Sequence, residues 1–129
     1  MAGLIFLDTH VVVWLYAGQL ERFGAELRQD LNDAALRISP AVTLEAQYLH
    51  EIGRLSVSGQ DVIEELQRSI GLAIDDTPFE QVVAQSLDNT WTRDPFDRLI
   101  VAQAALGNYP LLSKDRHIRE HYEYAYWRE

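Results

Sequence analysis

Two short apolar runs each end in an aspartate: LIFLD, from Leu4 to Asp8, and LLSKD, from Leu111 to Asp115. Each run is too short for a buried helix and reads as a buried strand. A further strand is expected at Leu36 to Ser39, a third at Leu72 to Ile74, and a last one at Tyr124 to Trp127. Between them lie helical signals. Val11 to Tyr16 is apolar without alternation. Ser39-Pro40 reads as an N-cap followed by proline at the first helical position, opening a helix to about Ile52 that stops at Gly53. Gln60 to Ile70 carries Val62, Ile63, Leu66 and Ile70 at helical spacing, and Pro78 to Leu87 is a shorter amphipathic segment. Pro95 to Leu106 is a mostly apolar helix ended by Gly107-Asn108. Strands that alternate with helices predict an α/β fold in three layers, with a mainly parallel sheet covered on both faces. In such a sheet, sites form at the carboxyl ends of the strands, where Asp8 and Asp115 stand.

The chain of 129 residues is the length of one domain, and the expectation is a single domain over 1–129. A hydrophobic share of 47% argues against disorder. No apolar run approaches the ~18 residues of a membrane span. The opening MAGLIFLDTH lacks a basic start and does not read as a signal peptide. The absence of cysteine rules out disulfides and thiolate metal sites, and fits the cytoplasm. A net charge of −9 argues against a simple nucleic-acid-binding module, although not against an enzyme that meets phosphate through a bound cation. The basic residues are ten arginines and the single Lys114. Arg93, Arg98, Arg116 and Arg119 fall close to the aspartates of interest, and guanidinium suits phosphate.

In TRDPFDRLIVAQA, from Thr92 to Ala104, Asp94 reads as the N-cap of the helix that Pro95 starts, with Asp97 in its first turn. Capping alone accounts for both. Asp97, however, also stands above Val101 and Ala104, on the apolar face. Glu45 repeats the pattern. Ala41, Val42, Leu49 and Ile52 share its side of the helix, whereas Thr43, Gln47, His50, Glu51 and Arg54 make the opposite, solvated side. A lone carboxylate on an apolar stripe needs a partner. Asp8 and Asp115 also read as caps, of the VVVWL and RHIREH segments. Taken together, Asp8, Glu45, Asp97 and Asp115, with Asp94 nearby, suggest one acidic edge. Clustered carboxylates repel, and a divalent cation removes the conflict; all-oxygen ligands suit Mg²⁺ or Mn²⁺. His117 and His121 are four apart, but no HExxH accompanies them, and zinc is not expected. His10 stands at the rim of the expected site. There is no glycine-rich phosphate loop and no GxSxG elbow.

The order of these acids resembles the PIN-domain family and, within it, the VapC-type toxins of toxin–antitoxin pairs. The resemblance rests on FLDTH, SPAVTLEAQYLHEIGRL, TRDPFDRLIVAQA and PLLSKD, and spans essentially the whole chain. It implies a three-layer α/β fold with Asp8, Glu45, Asp97 and Asp115 as the catalytic and metal-holding acids. Asp8 matches the family's first-strand aspartate and Glu45 its helix glutamate. Asp97 matches the acid before the LIVAQA run, and Asp115 the late-strand acid. Asp94, Thr9 and Ser113 take supporting places, with Ser113 where the family usually has threonine. The implied activity is Mg²⁺- or Mn²⁺-dependent endoribonuclease cleavage of single-stranded or looped RNA, leaving a 5′-phosphate. Arg93, Arg98 and Arg116 are then candidates for RNA phosphate contacts. The resemblance also implies an antitoxin partner that inserts a peptide, often with an arginine, into the acidic groove, and a homodimer. Two other readings stand beside it. One is a PIN module that only binds a partner. The other is a phosphotransferase with Asp8 as nucleophile, although His10 occupies the place of the second acid of a DxDxT arrangement.

Overall fold

The computed structural model describes residues 3–129. Its strands are β1 (Leu4–Leu7), β2 (Ala35–Ile38), β3 (Ala73–Ile74), β4 (Leu111–Leu112) and β5 (Ala125–Tyr126). They form one sheet in the order β3-β2-β1-β4-β5, and all four pairings are parallel. The helices are α1 (Thr9–Tyr16), α2 (Ala25–Asp33), α3 (Pro40–Glu51), α4 (Gly59–Ile70), α5 (Phe79–Ser86), α6 (Pro95–Ala105) and α7 (Arg116–His121), with a 3-10 turn at Leu20–Arg22.

The chain runs outward from β1 to β2 to β3, then crosses back over both to reach β4 on the far side of β1. Parallel crossovers are right-handed, so the two directions of travel place their helices on opposite faces of the sheet. The expected three-layer α/β architecture follows. The central strands are buried on both faces: Phe6, Leu7, Ile38, Leu111 and Leu112 are at most 1% exposed. They share one apolar cluster with Val11 and Val12 of α1, Val42 of α3, Val62 and Leu66 of α4, and Ile100 and Val101 of α6.

The helix starts are set by their caps. Ser39 accepts a hydrogen bond from the Ala41 amide, and Pro40 opens α3. Ser58 accepts from the Asp61 amide at the start of α4, and Gly71, at φ +70°, closes that helix in the left-handed conformation glycine tolerates best.

Three expectations need correction. First, α2 had no counterpart in the sequence reading, because AELRQDLND buries fully only Leu27. Second, Ile52 and Ile70, expected on buried stripes, are 48% and 44% exposed. Third, of the side of α3 expected to be solvated, Glu51 and Arg54 are exposed, but Thr43, Gln47 and His50 are half-buried toward α4 and the loop before it. Gln47 Oε1 accepts from the Gly59 amide at 3.0 Å, and His50 Nδ1 pairs with the Leu55 carbonyl at 2.8 Å. Leu44, Tyr48 and Ile52 are left at the surface.

Candidate active site at the carboxyl edge of the sheet

β1 and β4 are neighbours, and the chain leaves them in opposite directions. Their carboxyl ends therefore mark the switch point at which parallel sheets open a crevice. Asp8 follows β1 there. It caps α1, its Oδ1 accepting from the Thr9 amide at 2.8 Å, and it is only 6% exposed. Its other oxygen accepts from Ser113 Oγ at 2.7 Å, just beyond β4. Burial pushes the Asp8 carboxyl above its usual range, with Asp115 adding repulsion; the Ser113 and Thr9 hydrogen bonds and the nearby His10 act against the rise.

Glu45 reaches this edge from α3. The hydroxyl of Thr9, itself wholly buried, donates to Glu45 Oε1. Glu45 is half-buried, and its carboxyl is raised by burial and by the charges of Asp8 and Asp94. The Thr9 bond and His10 again oppose the shift. The hydroxyls of Thr9 and Ser113 thus hold Glu45 and Asp8 in fixed orientations.

Asp94 and Asp115 cap helices, as their spacing suggested. Asp94 Oδ1 accepts from the amides of Phe96 at 2.8 Å and Asp97 at 3.3 Å. Asp115 Oδ1 accepts from the Ile118 amide at 3.1 Å, and its own amide donates to Ser113 Oγ. Capping and membership of the acidic edge are therefore compatible for each. Asp97 carries no such duty for its carboxylate. It stands half-buried above Val101 and Ala104, which are at most 2% exposed. Its pKa is pushed to about 7, first by burial and then by repulsion from Asp94, Asp8, Asp115 and Glu45. The five acids singled out in the sequence are thus brought into one electrostatic group. Among the described residues, no three Asp, Glu or His side chains converge closely enough to enclose an ion by themselves.

The arginines divide. Arg93 is exposed and donates to the Thr90 carbonyl at 2.9 Å. Arg116 is exposed and pairs with Glu120 at 3.2 Å. Arg98 is half-buried and spends its Nε on the Thr92 carbonyl, tying the loop before α6 to that helix. Arg119 donates to the Lys114 carbonyl. His117 and His121 are exposed and pack against Trp91, whose ring stacks on His121 at 4.9 Å.

Another strand-closing acid escaped the sequence reading. Asp75 follows β3 as Asp8 follows β1, and it is 7% exposed. Burial would raise its carboxyl, but bonds from Thr77, Gln103 and Arg37 outweigh burial and leave it lowered. Gln103 Nε2 donates to it at 2.7 Å and Arg37 pairs with it at 3.3 Å, so this acid is neutralised within the fold. The available signal was LAIDD, the same run-then-acid pattern as LIFLD.

Fold and site together define an α/β domain with an acidic centre at the switch point of a parallel sheet. A family model of the PIN domain matches residues 5–124, and the chain belongs to the PIN-domain family. Ribonuclease VapC22 of Mycobacterium tuberculosis (strain ATCC 25618 / H37Rv) is 28% identical over 123 residues, covering 91% of each chain. Among solved structures, VapBC-1 from nontypeable Haemophilus influenzae aligns with a TM-score of 0.66 and 17% identity, over 98% of this chain and 97% of that one. VapBC2 from Rickettsia felis, bound to a DNA fragment from its promoter, aligns with a TM-score of 0.64 and 17% identity, over 91% and 92%. At such identities the solved structures speak for the fold.

Proposed function

We propose that the chain is a single-domain, VapC-type endoribonuclease that hydrolyses RNA phosphodiester bonds with Mg²⁺ or Mn²⁺ at Asp8, Glu45, Asp97 and Asp115. The observation that carries this reading is the state of Asp97, a carboxyl raised to about 7 by burial and by four neighbouring acids. Burying this carboxyl among like charges costs stability in its ionised form, and a divalent cation would offset both the burial and the repulsion. The donors are all carboxylate oxygens, the chemistry that selects Mg²⁺ or Mn²⁺ over softer metals. Such ions keep several waters, so an open arrangement of acids suits them better than a closed cage. When bound, the metal polarises the phosphodiester and favours hydroxide near neutral pH.

The chain's own groups have separable tasks. Ser113 and Thr9 orient Asp8 and Glu45. Asp94 fixes the first turn of α6 and thereby the direction of Asp97. With the cation held, one of these acids would orient the attacking water or accept its proton; the attack opens the P–O3′ bond and leaves a 5′-phosphate. Arg93 is exposed and without an ion pair, so it is available to RNA phosphate; Arg116 would have to exchange its surface pair with Glu120 for phosphate, and Arg98 contributes mainly by holding the Thr92 loop.

The similarity to VapC22 supports the ribonuclease reading, and the VapBC neighbours support an antitoxin partner. With a net charge of −9, the chain would attract a basic inhibitory segment into the acidic edge. The exposed Leu44, Tyr48 and Ile52 of α3 and Phe79 of α5 supply an apolar face for a second copy, which makes a homodimer the proposed assembly. No described helix is long and apolar enough to cross a membrane, and the proposed place of action is the cytoplasm, where RNA is met.

The decisive experiment incubates purified protein and RNA with Mn²⁺ or with EDTA, beside Asp8→Ala prepared identically. Metal-dependent cleavage that the variant lacks is the expected result. Equal cleavage by the variant would overturn the assignment. The open spacing of the acids keeps one second reading in play, a PIN module that only binds a partner. Calorimetry with no Mn²⁺ uptake by the wild-type protein would favour that reading.

A further inference from the structure

Beside the acidic edge, two exposed cations have no carboxylate partner among the described residues and lie on tryptophan rings instead. The Arg22 guanidinium carbon is 4.7 Å from the Trp14 ring centroid, and Lys114 Nζ is 5.7 Å from that of Trp127. The two indoles meet edge to face at 6.0 Å. Phe23, buried beneath, packs against both, at 6.2 Å from Trp14 and 5.6 Å from Trp127. The cluster adjoins the acids at two points. His10 lies one turn before Trp14 with its ring 6.1 Å away, and it stands two residues after Asp8 in the first turn of α1. Lys114 directly precedes Asp115.

Other cations of the chain also lack an ion pair, Arg93 among them, but Arg22 and Lys114 are set apart by lying over indole rings that touch each other. Arg128 is the contrast. It also lies over an aromatic ring, Tyr126 at 5.4 Å, but Asp30 at 3.3 Å and Glu26 at 3.6 Å absorb its charge. An aromatic floor holds a cation without neutralising it, so its field remains available to an anion. Free cations interleaved with partly exposed aromatic rings are what single-stranded nucleic acid requires, the cations for phosphates and the rings for bases. A polyanion approaching so acidic a chain needs such a local foothold.

We infer that His10, Trp14, Arg22, Lys114 and Trp127 form a shelf for the single-stranded RNA that flanks the bond to be cut. Arg22 and Lys114 take backbone phosphates, and the exposed rims of the rings with His10 take a base. This inference rests on the ribonuclease reading above and extends it from the cleaved bond to its neighbours.

The test compares wild type with the double variant Arg22→Ala/Lys114→Ala, which changes two exposed side chains and leaves the apolar floor in place. One readout is fluorescence anisotropy of a labelled single-stranded oligoribonucleotide in EDTA, across a salt series. The other is Mn²⁺-dependent hydrolysis of bis(p-nitrophenyl) phosphate, a small diester that reaches the acids alone. The double variant is expected to lose about tenfold in RNA affinity and to lower the slope of log K against log salt by about 1.4, the effect of two lost phosphate contacts on a single strand. Any change on the small diester should be several times smaller. The exchange Arg22→Lys/Lys114→Arg, which keeps both charges, should recover most of the affinity. Affinity of the alanine variant within about twofold of wild type, with the diester still hydrolysed, would remove the shelf and leave the ribonuclease reading standing. A wild-type protein that neither binds the RNA nor hydrolyses the diester would remove both.

Discussion

Ser113 Oγ donates a 2.7 Å hydrogen bond to Asp8 Oδ2 and accepts one of 3.1 Å from the Asp115 amide, so a single hydroxyl orients two acids from opposite ends of the chain. The serine is wholly buried and Asp8 nearly so. Ser113→Ala deprives a buried carboxylate of one of its two donors and lets burial raise Asp8 further. Mn²⁺ affinity measured by calorimetry should fall about tenfold or more, the usual effect of losing a partner that orients a ligand. Ser113→Thr keeps the hydroxyl and should bind Mn²⁺ like wild type. Equal affinities for all three proteins would show that the hydroxyl has no part in holding the cation.

Asp97 couples pH to stability in the direction opposite to an ion-paired aspartate. Its carboxyl moves from 3.8 to about 7, chiefly through burial and then through Asp94, Asp8, Asp115 and Glu45. Between these values the folded protein holds a proton that the unfolded chain releases. The stability this contributes is complete below the unfolded value and is lost as pH rises through about 7. Metal-free wild type should therefore melt higher at about pH 5 than at about pH 8. Asp97→Asn should remove most of that slope and raise the metal-free Tm at about pH 8 by a few degrees, while cleavage falls to background. A variant that melts lower than wild type at the higher pH would mean that the Asp97 charge is already compensated in the metal-free fold.

Asp94 supplies both a cap and a charge, and two substitutions separate them. Asp94→Asn keeps a good N-cap and removes one of the charges that raise Asp97. Cleavage should survive, and the acid limb of its pH profile should move to lower pH. Asp94→Ala loses the bonds to Phe96 and Asp97 as well and should cost about 1 kcal/mol in a denaturant titration. If Asp94→Asn abolished cleavage and Asp97→Asn did not, the roles of the two aspartates would be exchanged.

The legible parts of the sequence were those with local causes. The runs before Asp8 and Asp115 read as strands because burial on both faces demands continuous apolarity. The caps at Ser39, Asp94 and Asp115 read correctly because capping spans only a few residues. Helix α2 stayed hidden because it packs chiefly through Leu27, too little apolar surface to leave a period. The bonds that orient the acids join residues 36 and 105 positions apart, and no local pattern records them. Asp75 shows the same limit from the other side. It carries the strand-closing signature of Asp8, and only the approach of Arg37 and Gln103 makes it structural.

The facing of α3 was misread for a reason that can itself be tested. Thr43, Gln47 and His50 look like a solvated side, yet α4 lies against them because residue 59 is a glycine. A Cβ at Gly59 would stand 2.5 Å from the Gln47 amide nitrogen and 2.6 Å from the Thr43 carbonyl oxygen, both backbone atoms that no rotamer change can move. Gly59→Ala must therefore push the two helices apart. The change should cost about 1–3 kcal/mol, the range for overpacking, and lower the Tm by several degrees. Glu45 lies between Thr43 and Gln47 on the displaced turn, and its bond to Thr9 depends on the seating of α3. Mn²⁺ affinity should fall together with stability, although residue 59 belongs to no part of the acidic edge. A Tm within about a degree of wild type would mean that the helix pair yields without cost. A large loss of Tm with unchanged Mn²⁺ affinity would mean that Glu45 keeps its place independently of the α3–α4 contact.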